Sequence, residues 1–284
     1  MNENLSIRIG GRLIVFDEPK TMGIINVTPD SFAVHCTSCS EAEVISRAAG
    51  MLQSGADILD IGGYSTRPGA EYVSAEEEWR RVDIALKAIR ATWSDVVLSL
   101  DTWRADVARK AVEKYGEMII NDVSAGQWDE KMFSTIADLH VPYVLTHNRW
   151  QNEKQQMPDV PANPANAEEL IKEVLDFFQK NVDALYRLGV ADVIIDPGFG
   201  FGKSMEENYI LLKHLDIFNV LSCPILAGLS RKSMFFRMFG ITPNDALNAT
   251  TAANMAALER RADILRVHDV KEARQTIEIY KKIR

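Results

Sequence analysis

Polar residues of a restricted kind stand at the ends of apolar runs along the whole chain. In order they are Asn26, Asp60 with Gly62-Gly63, Asp101, Asn121, His147, Asp196, Ser230-Arg231-Lys232 and Arg266/His268. The clearest case is Asp192-Val-Ile-Ile-Asp-Pro-Gly-Phe-Gly-Phe-Gly-Lys203, where a short buried strand closes on a carboxylate and leaves through Pro197 and three glycines. A carboxylate in that setting costs several kcal/mol unless a cation or a set of donors meets it. One such residue alone reads best as a turn residue or helix N-cap. Eight positions in one register read as a polar site.

The residue types limit the ligand. Asp101, Asn121 and Asp196 offer acceptors and one amide, which suits a flat heterocycle rich in N–H groups. A carboxylate facing such an edge takes two parallel hydrogen bonds, as it does from guanidinium. Arg67, Lys232, Arg266 and His268 are cations on neighbouring loops and suit phosphate or another anion. The site is therefore bipolar, and it contains no Ser-His-Asp or Cys-His arrangement for nucleophilic catalysis.

These residues need elements to hold them. Apolar runs predict strands over 22–26, 57–61, 96–101, 117–121, 142–147, 192–196, 223–228 and 263–268. Residues 5–17 alternate around Gly10-Gly11 and predict a short β-hairpin before them. Val44, Ile45, Ala48 and Leu52 share a helical face that stops at Gly55, and Ser74-x-x-Glu77 opens the next helix. Leu170, Val174, Phe178, Val182 and Leu185 mark a long helix ending before Gly189, and Gly116 and Gly240 sit past helix ends. Gln151 to Asn166 reads as a long loop. Eight strands alternating with helices, with no break in composition, predict an α/β fold: a single (β/α)8 TIM barrel, rather than a doubly wound sheet. The polar strand ends would then share one rim.

Composition excludes other classes. The 284 residues are 46% hydrophobic and 25% charged, ordinary for a globular protein. A net charge of −8 argues against nucleic acid and membrane surfaces, though not against a small anion met by local cations. No apolar run approaches a membrane span, and the N-terminus lacks a secretory apolar region. Three cysteines make no disulfide framework and point to a reducing cytoplasm.

Seven segments, in order, resemble the dihydropteroate synthases of the pterin-binding family. They are Met22-Gly-Ile-Ile-Asn-Val-Thr-Pro-Asp-Ser-Phe32, Gly62-Gly-Tyr-Ser-Thr-Arg-Pro-Gly-Ala70, Leu100-Asp-Thr102, Ile120-Asn-Asp-Val123, Asp196-Pro-Gly-Phe-Gly-Phe-Gly-Lys203, Gly228-Leu-Ser-Arg-Lys-Ser233 and Arg266-Val-His-Asp-Val270. The resemblance implies one domain over 1–284, its motifs within about 20–276. It implies that 6-hydroxymethyl-7,8-dihydropterin diphosphate is joined to p-aminobenzoate, releasing pyrophosphate and 7,8-dihydropteroate in folate biosynthesis. Carried over residue by residue, it puts Asp101, Asn121, Asp196 and Lys232 on the pterin and Asn26, Arg266 and His268 on the diphosphate. Asn26 would also meet Mg²⁺, the implied cofactor. Thr66, Arg67 and Pro68 would cover the second substrate, and Ser233 would meet the p-aminobenzoate carboxylate. Lys232, Arg67 and Asp101 are the catalytic candidates. The family also implies a cytoplasmic homodimer and inhibition by sulfonamides, which mimic p-aminobenzoate.

The chain departs from the family pattern in places. Ala33-Val34-His35-Cys36 replaces Ser-Asp-Gly-Gly, so the first loop lacks its second carboxylate. Tyr64 stands where Glu is common, and Thr146-His-Asn-Arg-Trp150 replaces His-Met-x-Gly, so His147 carries no assigned role. Two other readings follow: a paralogue that binds pterins without making product, and a pterin-dependent methyltransferase. The second is disfavoured because a methyl donor needs no clamp on a leaving group. His35-Cys36-x-x-Cys39 has no fourth ligand nearby, and the Gly198-x-Gly-x-Gly202 run lacks P-loop spacing. Met234 to Phe239 reads as helix core or a dimer face, and Glu76-Glu-Glu78 as the acidic first turn of a helix.

Overall fold

The computed structural model describes residues 5–28, 40–64, 72–152, 154 and 166–284. The chain opens with a hairpin, β1 (Ser6–Ile9) and β2 (Arg12–Val15), turned through Gly10 and Gly11 at φ +56° and +71°. Two consecutive positive φ values suit glycine, and they match the twist of a two-residue hairpin turn. Eight strands follow: β3 (Lys20–Asn26), β4 (Ile58–Gly62), β5 (Val97–Asp101), β6 (Ile119–Asp122), β7 (Tyr143–Thr146), β8 (Val193–Asp196), β9 (Leu226–Ala227) and β10 (Ile264–Val267).

They pair in parallel in the order β8-β7-β6-β5-β4-β3-β10-β9. A bridge between Ile195 and Ile225, with Ile195 N–H donating to the Pro224 carbonyl at 2.9 Å, brings the ends of the sheet together. The sheet is thus the (β/α)8 barrel expected from the sequence. One strand is shorter than expected, since only two residues of 223–228 form a regular ladder. Pro224 has no N–H to give to a neighbouring strand, which limits pairing there.

Side chains alternate across each strand, and the register sorts the inner face into layers. Near the base lie Met22, Ile58, Ile119, Val144, Ile194, Leu226 and Ile264, all at most 1% exposed. Ile7, Ile9 and Phe16 of the hairpin pack against them and close that end of the barrel. Full burial of each such side chain contributes about 2 kcal/mol. Two residues further along the same strands, the layer turns polar: Ile58 gives way to Asp60, Ile119 to Asn121, Ile194 to Asp196 and Ile264 to Arg266. The dry base and the polar rim are successive pleats of the same strands.

Helices α1 (Glu41–Gln53), α2 (Ala75–Thr92), α3 (Ala105–Tyr115), α4 (Met132–Leu139), α5 (Ala167–Arg187), α6 (Met205–Lys213), α7 (Ser233–Phe239), α8 (Leu247–Glu259) and α9 (Val270–Ile283) bury their apolar faces on the outside of the sheet. Ser74 caps α2 by accepting from Glu77 N–H, as its spacing predicts. Helix α7 begins at Ser233, with Lys232 at its N-cap. Met234 and Phe235 of α7 are core, whereas Met238 and Phe239 are more than half exposed. Among the described residues no helix is long and apolar enough to cross a membrane.

Candidate active site

The floor of the site is an ion cluster across the barrel. Arg266 on β10 donates from Nε to Asp60 Oδ2 at 2.7 Å, and its Nη2 pairs with Asp101 Oδ2. Asn121 Nδ2 donates to the same Asp60 oxygen at 3.2 Å. Asp60 Oδ1 is buried without a hydrogen-bond partner among the described residues. Burial pushes the Asp101 carboxyl up to about 7; Arg266 works against that shift, while Asp60, Glu78 and Asp122 add to it. Burial also disfavours the Arg266 cation, yet Asp60 and Asp101 hold it protonated beyond the usual arginine range. The Nη1 end of the guanidinium enters none of these bonds, which leaves donors for a ligand.

The second wall comes from the loops after β8 and β9. Asp196 accepts from Gly198 N–H at 2.8 Å through Oδ1. Burial raises its carboxyl, against the pull of that N–H, Lys232, Arg266 and Lys203. Lys232 Nζ stands 4.5 Å from the centre of the Phe201 ring, a cation–π distance. Trp150 meets the same ring edge-on at 5.3 Å. One wall thus joins an acceptor, an ammonium and an aromatic face, a combination suited to a flat, N–H-rich ring.

The third wall is built for anions. Ser230 Oγ lies 3.0 Å from His268 Nδ1 and accepts from His268 N–H at 3.2 Å. Arg231 takes a left-handed backbone at φ +53° and is held there by a two-pronged pair with Asp269, at 3.0 and 2.7 Å. That pair fixes the β9 loop to the end of β10, so Lys232 and His268 are set by one piece of structure. Asn26, at the end of β3, is half-buried beside Gly62 and Asp101. Its amide oxygen is a hard, neutral donor. Among the described residues no group of three His, Cys, Asp or Glu could hold a metal ion. This donor set fits a Mg²⁺ that keeps its waters and takes most of its ligands from a phosphate-bearing substrate.

Asn26, Asp101, Asn121, Asp196, Lys232, Arg266 and His268 therefore meet on one rim, with Ser233 at the start of α7 beside Lys232. Thr66, Arg67 and Pro68 lie outside the described residues, as do Val34 and the His35-Cys36-x-x-Cys39 motif. Some groups escape a reading of the sequence. Glu78 is no ordinary first-turn acid: it is fully buried, accepts from Thr102 Oγ1 at 2.6 Å and pairs with Arg104. Arg104 in turn donates to the Val73 carbonyl at 2.7 Å and lies 5.5 Å from the Tyr64 ring centre. His147 is buried against Phe177, with Nε2 3.4 Å from Glu173; burial and Lys203 lower it to about 4, against Glu173. It is a packed, neutral histidine.

A parallel (β/α)8 barrel with a polar site on the rim at its strand ends defines the general class, and comparison with known sequences narrows it. The profile of the family described as pterin binding enzyme matches residues 22–268, and the chain belongs to that family. Its relatives include the dihydropteroate synthase of Streptococcus pyogenes serotype M18 (strain MGAS8232), 36% identical over 277 residues that cover 96% of this chain and 98% of the relative. Among solved structures, Xanthomonas albilineans dihydropteroate synthase with 4-aminobenzoic acid is 37% identical, with a TM-score of 0.85 over 98% of this chain and 97% of that one. The same enzyme in complex with 7,8-dihydropteroate is 35% identical, with a TM-score of 0.83 over 98% of each chain.

Proposed function

We propose that this chain catalyses dihydropteroate synthesis, joining 6-hydroxymethyl-7,8-dihydropterin diphosphate to p-aminobenzoate with release of pyrophosphate. The observation that carries the reading is that one rim holds the acceptors and amide of Asp196, Asn121 and Asp101 together with Arg266, whose Nη1 end stays outside the ion cluster, and His268. A substrate with a pterin at one end and a diphosphate at the other matches that polarity.

In this reading Asp196 and Asn121 orient the pterin ring by its N–H edge, and Lys232 lies against it beside Phe201. The Nη1 end of Arg266 and the His268 ring face the leaving diphosphate. Positive charge there stabilises the oxygens as the C–O bond breaks, and the pterin methylene carbon becomes cationic. Asn26 would be among the residues that hold Mg²⁺, which when bound would supply further charge neutralisation to that leaving group. An aniline nitrogen attacks without a strong base, in keeping with the absence of a nucleophilic triad. Ser233 meets the p-aminobenzoate carboxylate, and Thr66, Arg67 and Pro68 cover that substrate. The enzyme works as a single-domain protomer in a cytoplasmic homodimer.

The test is pyrophosphate release from the dihydropterin diphosphate with Mg²⁺, with and without p-aminobenzoate. Release that requires p-aminobenzoate supports the synthase. Pterin binding without any release would instead identify a binding paralogue, and tight binding of methyltetrahydrofolate a methyltransferase. Asp196→Asn is expected to weaken pterin binding far more than p-aminobenzoate binding in calorimetry. Equal losses would remove Asp196 from its role.

A further inference from the structure

We propose that Lys203 is a positioning residue for the pterin half of the site: its ammonium, closed over three backbone carbonyls, fixes the loop after β8 so that Phe201 holds Lys232 beside Asp196. This rests on the reading of Lys232 and Asp196 as pterin-binding groups.

The geometry is that of a clamp. Lys203 Nζ donates to the carbonyls of Gly198 at 2.8 Å, His147 at 3.0 Å and Phe201 at 3.5 Å. A lysine ammonium has three N–H bonds, so this set uses all of them. The residue is only 8% exposed; without it the His147 carbonyl would lose its donor in a dry seam, while the Gly198 and Phe201 carbonyls would keep only Phe201 N–H at 3.2 Å and Arg149 N–H at 3.5 Å. The seam joins two loops, because His147 follows β7 whereas Gly198 and Phe201 follow β8. Its fit is tight: a Cβ on Gly198, which sits at φ +70°, would stand 2.0 Å from the His147 carbonyl oxygen.

From the clamp the constraint passes outward. Gly200 N–H donates to Asn208 Oδ1 at 2.6 Å, and Arg149 N–H reaches the Phe201 carbonyl at 3.5 Å, so the loop is tied on both flanks. Phe201 is then held between Trp150 and Lys232. Lys203 itself lies behind this wall, with its donors turned to backbone. It acts through Phe201 and not on substrate.

The clamp also responds to pH. Around Lys203 stand His147 and Arg149 after β7, Asp196 on β8, Glu173 on α5, Glu207 on α6 and Lys232 before α7. Burial, with Arg149 and Lys232, pushes the ammonium down to about 7, against Asp196 and Glu173. The neutral amine keeps two N–H groups for three carbonyls. The loop should therefore loosen as pH rises through that value.

The experiment uses the full chain and its Lys203→Met and Lys203→Arg variants, with Asp196→Asn as a control. Lys203→Met is expected to raise KM for the dihydropterin diphosphate on the order of tenfold to a hundredfold, the scale of a misplaced contact, with KM for p-aminobenzoate unchanged. Lys203→Arg should restore most of that loss and carry the alkaline fall of kcat/KM to higher pH. An unchanged pterin KM in Lys203→Met, or an equal rise for both substrates, overturns the proposal. If Lys203→Met does not fold, superimposable pH profiles for wild type and Lys203→Arg overturn it as well. A ligand-free crystal structure of either variant gives an answer independent of turnover. Lys232 displaced from Phe201 in Lys203→Met supports the clamp, and Lys232 in place there refutes it. Asp196→Asn separates the two levels: normal pterin affinity in that control would refute the site reading itself, whatever Lys203 does.

Discussion

Asp101 and Arg266 meet across the barrel mouth, joined by a charge-assisted bond between strands that are 165 residues apart in sequence. The same guanidinium also holds Asp60, so one cation serves two carboxylates that would otherwise repel each other. The floor of the site is thereby fixed before any ligand arrives.

Replacing Arg266 by Met should leave both carboxylates in a desolvated setting with no counter-charge. Loss of one partner from such a cluster costs roughly 3–5 kcal/mol. Urea unfolding well above pH 7, where the Asp101 proton is lost, should show that loss, and Asp101→Asn added to Arg266→Met should recover part of it by removing one of the two charges. A double variant no more stable than Arg266→Met would mean that Asp101 and Asp60 do not strain each other.

The raised carboxyl of Asp101 has a pH signature with a definite sign. In the unfolded chain it ionises near the ordinary value of 3.8, whereas in the fold it keeps its proton up to about 7. Between those values the folded state holds a proton that the unfolded state has lost. Stability should therefore fall as pH rises through this window, by at most about 1.4 kcal/mol per pH unit from this group. Asp101→Asn should flatten the curve between pH 4 and 7, and curves that run parallel would argue against a raised carboxyl at this position.

Ser230 touches both the ring and the backbone N–H of His268. Ser230→Ala should cost about 1 kcal/mol of anion binding, hence about a fivefold rise in KM for the diphosphate substrate. Affinity for a pterin without the diphosphate should stay as it was. If both ligands weaken together, the serine supports the loop in general and not the histidine.

Removal of divalent metal by a chelator should stop pyrophosphate release and leave the binding of a diphosphate-free pterin intact. Asn26→Ala should then raise the Mg²⁺ concentration needed for half-maximal rate by about tenfold, the loss of one hydrogen-bond-sized ligand contribution. An unchanged Mg²⁺ requirement would place the ion away from Asn26.

Much of this site is legible because Asp60, Asn121, Asp196 and Arg266 each follow an isoleucine by one pleat. Asp196 after Ile194 and Asn121 after Ile119 are visible to anyone who counts in twos. What escapes is pairing over distance. Glu78 sits among three acids at a helix start and looks like a complement to the helix dipole, yet its partner Arg104 is 26 residues on. Lys203 follows a run of glycines, but convergence of carbonyls from two separate loops on one ammonium has no sequence signal. Arg266 is legible as a cation for an anion, and its debt to Asp60 and Asp101 is not. The shortening of β9 does have a signal, since Pro224 lies within the predicted strand.

Because the hairpin fills the base of the barrel with Ile7, Ile9 and Phe16, the molecule is a cup and not a pipe. Among the described residues the base is closed, which leaves the polar rim as the doorway. On the proposed assignment the pterin lies deep, between Asp101 and Asp196, and p-aminobenzoate lies nearer the opening. Traffic must then be sequential, with the deeper guest first to arrive and the joined product leaving past the same threshold. Three apolar residues at the far end of the fold thus impose an itinerary on chemistry that they never touch.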